Sequence, residues 1–383
     1  MMQTAVKTAS ILCVGNEWFP RKPGGLDRYV YELVHQLTLE GDRVELCGVD
    51  LPSLSDDAAL DLVNLASPQR SLPQRLWSSQ REFAQRSLQL PDAINLHFAL
   101  YSLPLLSALP REVPVTFTFH GPWAAESAQE GHHPWNNRLK HWMEQRVYQR
   151  CDRFIVLSKA FGTVLNETYG IPGEKIHIIP GGVNTAHFRP TFTRQEAREK
   201  LDWPSDRQIL FTPRRLVQRM GLDKLLQAMV TVKQQVPDVW LAIAGKGPRR
   251  PALEQQVWAL GLEHQVSFLG FVPDAELPIA YQAADLTVVP SQSLEGFGLI
   301  LVESLACGTP AFCTPVGGMP EVILPFAPNL VSESAEAGAI ADQLITLLTG
   351  QVPLPARADC RAYAVQQFDW QRIAPQVRAV LLA

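Results

Sequence analysis

Two doubly wound α/β domains, each on a parallel sheet, are what this 383-residue sequence predicts. Three observations carry that prediction. Short apolar runs alternate with helical stretches along nearly the whole chain, a pattern that implies right-handed crossovers and parallel strands covered on both faces. The alternation breaks once, between about residues 184 and 206, and then restarts. The length exceeds what one ordinary core organises but suits two domains of roughly 180–200 residues.

In the first half, candidate strands lie near 10–15, 43–49, 93–98, 114–119, 153–157 and 175–179. The run Ser10 to Gly15 is too short for the apolar part of a signal peptide and reads as a first strand. Between strands lie patterned helices, such as Leu26 to Leu39 with Tyr29, Leu33, Val34 and Leu37 on one face. Phe188-Arg189-Pro190 and Trp203-Pro204 then break regular structure, and the charged stretch Arg194 to Lys200 between them reads as a short exposed helix. The strands resume at 209–212, 239–244, 266–269, 286–289 and 310–313. Residues 366–383 read as a last amphipathic helix with Phe368, Trp370, Ile373, Val377, Val380 and Leu381 to bury. The expected domains are 1–188 together with the last helix 366–383, and 189–365.

Composition narrows the function. A formal charge of −4 and a pI near 6.2 argue against a general nucleic-acid binder. Six cysteines without a Cys-x-x-Cys spacing disfavour a disulfide framework or a zinc site, and a reducing cytosol is the simplest home. No run approaches the ~20 apolar residues a bilayer span needs. A cytoplasmic protein is expected, soluble or at most on a membrane surface.

The most informative stretch is Glu295-Gly296-Phe297-Gly298-Leu299-Ile300-Leu301-Val302-Glu303. Its glycines bring bare N–H groups to a helix start, where an anion is favoured, and its two carboxylates can accept hydroxyl hydrogen bonds. Two hydroxyl-rich groups flanking a diphosphate describe a sugar nucleotide. Alone, the stretch is equally an ordinary turn into a helix with Glu303 solvated. The second glycine turn at Gly317-Gly318 shifts the balance, because it puts two glycine-rich loops at neighbouring strand ends, where ligands of open α/β sheets bind.

Other candidates sit at comparable places. Arg214, Arg215 and Arg219 follow the first strand of the second half, where guanidinium groups can hold a diphosphate or simply be solvated. Gly24-Gly25 opens a helix after the first strand. His120 ends an apolar strand. Gly245-Lys246-Gly247 approaches a dinucleotide fingerprint, but Arg250 stands at the third glycine, so a nicotinamide or flavin enzyme is disfavoured.

In this order, Gly24-Gly25, His120-Gly121, Ile179 to Asn184 with Phe188-Arg189-Pro190, Arg215, Gly245 to Pro248 and Glu295 to Gly308 resemble the retaining glycosyltransferases of family 4. The resemblance covers almost the whole chain. It implies the GT-B architecture, two Rossmann-like domains facing a central cleft with the C-terminal helix crossing back to the first. It further implies that Glu295 holds donor-sugar hydroxyls and that Gly296, Phe297, Gly298 and Leu299 line sugar and diphosphate. Glu303 would accept the ribose hydroxyls, and Arg215 would neutralise the leaving diphosphate. His120 would contact the sugar, Gly24 and Gly25 would lie against the diphosphate, and Gly245 and Lys246 would join the nucleotide site. The family's usual lysine five positions after Arg215 is Met220 here, and Arg219 is the expected substitute. No Asp-x-Asp signature lies at a matching strand end, so no metal or other cofactor is expected.

The expected donor is a UDP-sugar first and GDP-mannose second, and the acceptor a hydroxyl of a glycan, glycolipid or small molecule. Alternatives are a sugar-nucleotide epimerase or phosphorylase-like enzyme on the same fold, or a non-catalytic nucleotide-sugar binder. Trp123, Trp135 and Trp142 with the segment Arg138 to Arg153 form an aromatic, basic strip. It reads either as a solvated helix face with ordinary aromatic core contacts or as a surface for an anionic membrane carrying a lipid-linked acceptor.

Overall fold

A computed structural model describes residues 8–53, 55, 57–86, 90–131 and 133–383. The chain forms two compact units. The first comprises Met1–Ala128, His132–Gly182 and Trp370–Ala383; the second comprises Gln129–Gly131 and Val183–Asp369.

The first unit holds a seven-stranded sheet of β1 (Ser10–Glu17), β2 (Arg43–Val49), β3 (Leu60–Ala66), β4 (Ala93–Leu96), β5 (Val115–Phe119), β6 (Arg153–Val156) and β7 (Ile176–Ile178). All neighbours are parallel, in the order β3-β2-β1-β4-β5-β6-β7. Parallel strands need both faces covered, and β4 and β5 are buried along their whole length. The Gly25–Leu39 helix supplies part of that cover, burying Tyr29, Leu33, Val34 and Leu37 as its apolar spacing requires.

One strand went unanticipated. β3 carries Asp61 and Asn64, so its apolar run is interrupted, and it is the sheet's edge, where one flank has no partner strand to cover. The C-terminal helix also differs from expectation. It spans Trp370–Leu382, and residues up to Phe368 belong to a separate Arg357–Phe368 helix, with Asp369 in extended conformation between them. Trp370, Ile373, Val377 and Leu381 face the first unit, and Arg378 clamps Asp42 through Nε and Nη2 at 2.6 and 2.8 Å.

The second unit holds a five-stranded parallel sheet of β8 (Gln208–Pro213), β9 (Val239–Ala244), β10 (Val266–Gly270), β11 (Leu286–Val289) and β12 (Ala311–Cys313), ordered β10-β9-β8-β11-β12. The strand order reverses between β8 and β11, which makes their carboxyl ends the crevice where open sheets bind ligands. The Arg194–Leu201 helix is less exposed than its charge suggests. Ala197 and Arg198 are buried, and Arg198 bridges Asp285 at 2.7 Å and the Ala283 carbonyl at 3.0 Å.

All six cysteines are buried and free. Among the described residues no helix is long and apolar enough to cross a membrane.

Candidate functional site

In the second unit the predicted residues gather at the reversal point. Arg214 and Arg215 leave β8, and Glu295 to Leu299 follow β11 into the Leu299–Ala306 helix, whose start carries no side-chain cap and whose positive end favours an anion. Gly298 caps that helix in the left-handed conformation, φ 87°. Phe297 is buried against Phe368, centroids 5.6 Å apart.

Glu295 is an ion-pair partner rather than an open carboxylate. Arg214 Nη2 donates to its Oε2 and to Ser291 Oγ, and Ser291 Oγ donates to the same oxygen at 3.0 Å. Burial alone would raise the Glu295 pKa, but the Arg214 charge and hydrogen bond outweigh it and hold the carboxyl below its ordinary value. Gly317 completes the loop. A Cβ there would sit 1.9 Å from the Glu295 carbonyl oxygen, and Gly318 N–H donates to that oxygen at 2.9 Å.

Glu303 is 6% exposed, which removes the solvated-face alternative. The Tyr281 hydroxyl donates to its Oε2 at 2.7 Å. The two glutamates thus lie at the entrance of one short helix and one turn inside it. Arg215 is half exposed, whereas Arg219 is 8% exposed and donates through Nη1 to the Leu294 carbonyl at 3.1 Å. Met220 is buried. Gly245 presses on the segment after β8, since a Cβ would meet the Arg214 carbonyl oxygen at 2.0 Å, and the Lys246 ammonium lies 5.5 Å from the Phe271 ring.

In the first unit the sheet reverses between β1 and β4, and the predicted residues again follow strand ends. His120, after β5, pairs with His97, after β4: His97 Nδ1 lies 3.2 Å from His120 Nε2, with the rings stacked. Burial pushes the His120 pKa down to about 3, and burial with the neighbouring ring lowers His97 as well, so both imidazoles are neutral at physiological pH. The Tyr29 ring meets His120 edge-on at 4.9 Å. Gly24 and Gly25 open the first helix. Its buried Asp27 takes hydrogen bonds from Asn16 Nδ2 and Glu17 N–H, both at 3.1 Å, and so ties the end of β1 to the helix start.

Sequence reasoning missed His97, Ser291, Tyr281 and the pairing of Arg214. His97 was detectable, because it ends a predicted strand as His120 does. The others act through partners 4 to 81 residues away, for which spacing offers no signal.

The strip on the Pro134–Tyr148 helix resolves into two parts. Trp135, Leu139 and Trp142 are 71%, 51% and 51% exposed, on one helical face with Arg138 and Arg146. Trp123 is instead packed on Phe98 at 5.2 Å, with the Lys140 ammonium 4.8 Å from its ring.

Comparison with known proteins covers both units. Residues 23–187 match the model of Glycosyltransferase Family 4 and residues 193–367 that of Glycosyl transferases group 1. A D-inositol 3-phosphate glycosyltransferase of Nocardia farcinica is 29% identical over 92% of this chain and 83% of its own length. Three further curated relatives, 30–32% identical, are matched over only about half of their lengths (48%, 57% and 54%). Among solved structures, sucrose-phosphate synthase from Thermosynechococcus elongatus is similar at TM-score 0.81 and 22% identity, covering 97% of this chain and 98% of that one. Anabaena HepE in complex with UDP-glucose is similar at TM-score 0.77 and 21% identity, covering 97% and 99%. With two parallel-sheet Rossmann-like units of the GT-B fold, this chain belongs to the family 4 glycosyltransferases.

Proposed function

We propose that this protein transfers a hexosyl group from a nucleotide sugar, a UDP-sugar first and GDP-mannose second, to a hydroxyl of a glycan, glycolipid or small-molecule acceptor, with retention and without a metal. The observation that carries this reading is a pair of glutamates, Glu303 buried and Glu295 half-buried, on either side of a helix start at the sheet's reversal point. A buried carboxylate is costly unless it is held or used, and carboxylate oxygens are strong acceptors for the hydroxyls of a sugar nucleotide.

Breaking the anomeric bond leaves negative charge on the departing diphosphate. The N–H groups of the Leu299–Ala306 helix start and the Arg215 guanidinium stabilise that charge without reorganising. Glu295 takes the donor-sugar hydroxyls and Glu303 the ribose. His120, neutral, serves the sugar as a hydrogen-bonding group and not as a cation. Same-face attack needs no enzyme nucleophile, because the donor phosphate takes the acceptor's proton.

The exposed Trp135, Leu139, Trp142, Arg138 and Arg146 favour peripheral contact with an anionic membrane, because aromatic and cationic groups on one face suit the headgroup layer. Co-sedimentation with phosphatidylglycerol vesicles tests it, and equal binding by a Trp135→Ser/Trp142→Ser variant sinks it.

Calorimetry with UDP and GDP tests the enzyme reading. Glu303→Ala should weaken nucleoside diphosphate binding by about 1–3 kcal/mol through lost charged hydrogen bonds. Unchanged affinity would remove Glu303 from the ribose site.

A further inference from the structure

Glu295 is held more tightly than a polyol acceptor alone requires. Arg214, 5% exposed, and Ser291 both bond its Oε2, and Arg214 also meets Ser291, so the three side chains close a triangle. Among the described residues no hydrogen bond reaches Oε1. The backbone is fixed as well. Leu294, the preceding residue, has φ 52°, which L side chains rarely adopt, and its carbonyl is held by Arg219. The Glu295 carbonyl is held by Gly318.

We infer that Arg214 is the positioning residue of the donor-sugar site: by occupying Oε2 of Glu295 it leaves Oε1 as the one oxygen offered to the sugar hydroxyls. The inference rests on the glycosyltransferase reading and adds a residue to it. Pinning one oxygen stops the carboxylate plane from rotating, so the other is aimed before the donor arrives, and preorganised groups of this kind are what orientation demands. The same contact sets the charge. The groups facing Glu295 are Arg214 from the end of β8, Arg219 from the following turn, Ser291 from its own loop and the buried Cys313 thiol from β12. Of these the two arginines and the Ser291 hydroxyl favour the carboxylate, and Arg214 contributes most. Without it, burial prevails and Glu295 takes up a proton at higher pH.

The test uses the full-length protein with Arg214→Lys and Arg214→Met, the second also combined with Glu295→Gln so that no lone charge stays buried. Affinities for UDP and UDP-glucose, or GDP and GDP-mannose where the wild type prefers them, separate nucleotide from sugar. The expected result is nucleoside diphosphate affinity within twofold of wild type, while the extra affinity supplied by the sugar falls at least tenfold in Arg214→Met and less in Arg214→Lys. The acidic limb of the turnover profile should move to higher pH in the order wild type, Lys, Met, and vanish with Glu295→Gln. Should Arg214→Met not fold, Arg214→Lys and the double variant decide alone. A retained sugar contribution with an unmoved limb overturns the inference. So does an equal loss for UDP and UDP-glucose, which would put Arg214 on the diphosphate itself. A wild-type protein that binds neither nucleotide would instead overturn the glycosyltransferase reading, and the inference with it.

Discussion

At the scale of single residues, the second unit reassigns its arginines. Arg215 is half exposed and 3.5 Å from the Glu130 carboxylate, Arg214 is spent on Glu295, and Arg219 is buried against the loop that carries Glu295. If Arg219 supplies the cation that Met220 lacks, Arg219→Ala should lower turnover about 10²–10³-fold, as severely as Arg215→Ala. Met220→Lys should then partly restore it; steady-state kinetics with a fixed acceptor would decide, and a fully active Arg219→Ala would leave Arg215 to act alone. Asp27 allows a test by pH. Burial pushes its carboxyl up to about 6, against the Asn16 and Glu17 hydrogen bonds that favour the charge. The folded state therefore holds a proton between roughly pH 4 and 6 that the unfolded chain has lost, and stability falls as pH rises through that window. Asp27→Asn should be more stable than wild type by about 1–3 kcal/mol at pH 7.5, with the gain gone near pH 4. Denaturant melts at the two pH values measure it, and a gain of the same size at both would contradict it. The sequence announced Glu295, Glu303 and His120 through strand ends and glycines. It said nothing of Asp27 as a partner of Asn16 and Glu17 or of His97 as a partner of His120, because those roles come from contacts between separate elements.

At the scale of elements, the alternation of apolar runs located eleven of the twelve strands among the described residues, because a parallel strand buried on both faces leaves a run that needs no alternation to be seen. β3 escaped because Asp61 and Asn64 interrupt it at an edge that tolerates polar residues. The split near Asp369 escaped because the apolar spacing of the two flanking helices runs on across it. One helix start depends on a single distant carboxylate. Glu144 accepts the Trp123 N–H and the Tyr169 hydroxyl, each at 2.8 Å, and so anchors the Trp123–Gln129 helix that begins just after His120. Burial raises the Glu144 pKa to about 7, opposed by those hydrogen bonds. Glu144→Ala should destabilise the protein by about 2–4 kcal/mol, since it strands buried donors, and Glu144→Gln should cost clearly less. Urea unfolding compares them, and equal losses would show that packing volume and not the acceptor matters.

At the scale of the whole molecule, two α/β domains with a final helix returning to the first were legible in the alternation of strands and helices, and the family models cover both. The proposed function puts most of the nucleotide contacts, those of Glu303, Arg215 and the Leu299–Ala306 helix start, on the second unit. A fragment of residues 183–369 should therefore bind UDP or GDP within about tenfold of the intact chain, and titration calorimetry on that fragment would refute the assignment if a folded fragment bound neither. One detail of the first unit bears on such dissection. Gly182, its last residue before the chain departs, lies so close under Trp370, its first residue on return, that a Cβ would stand 2.3 Å from the indole. Exit and re-entry are thus neighbours. Topologically, 187 consecutive residues are a cassette spliced into a host domain whose cut ends already touch, so that excising them would leave two ends lying side by side.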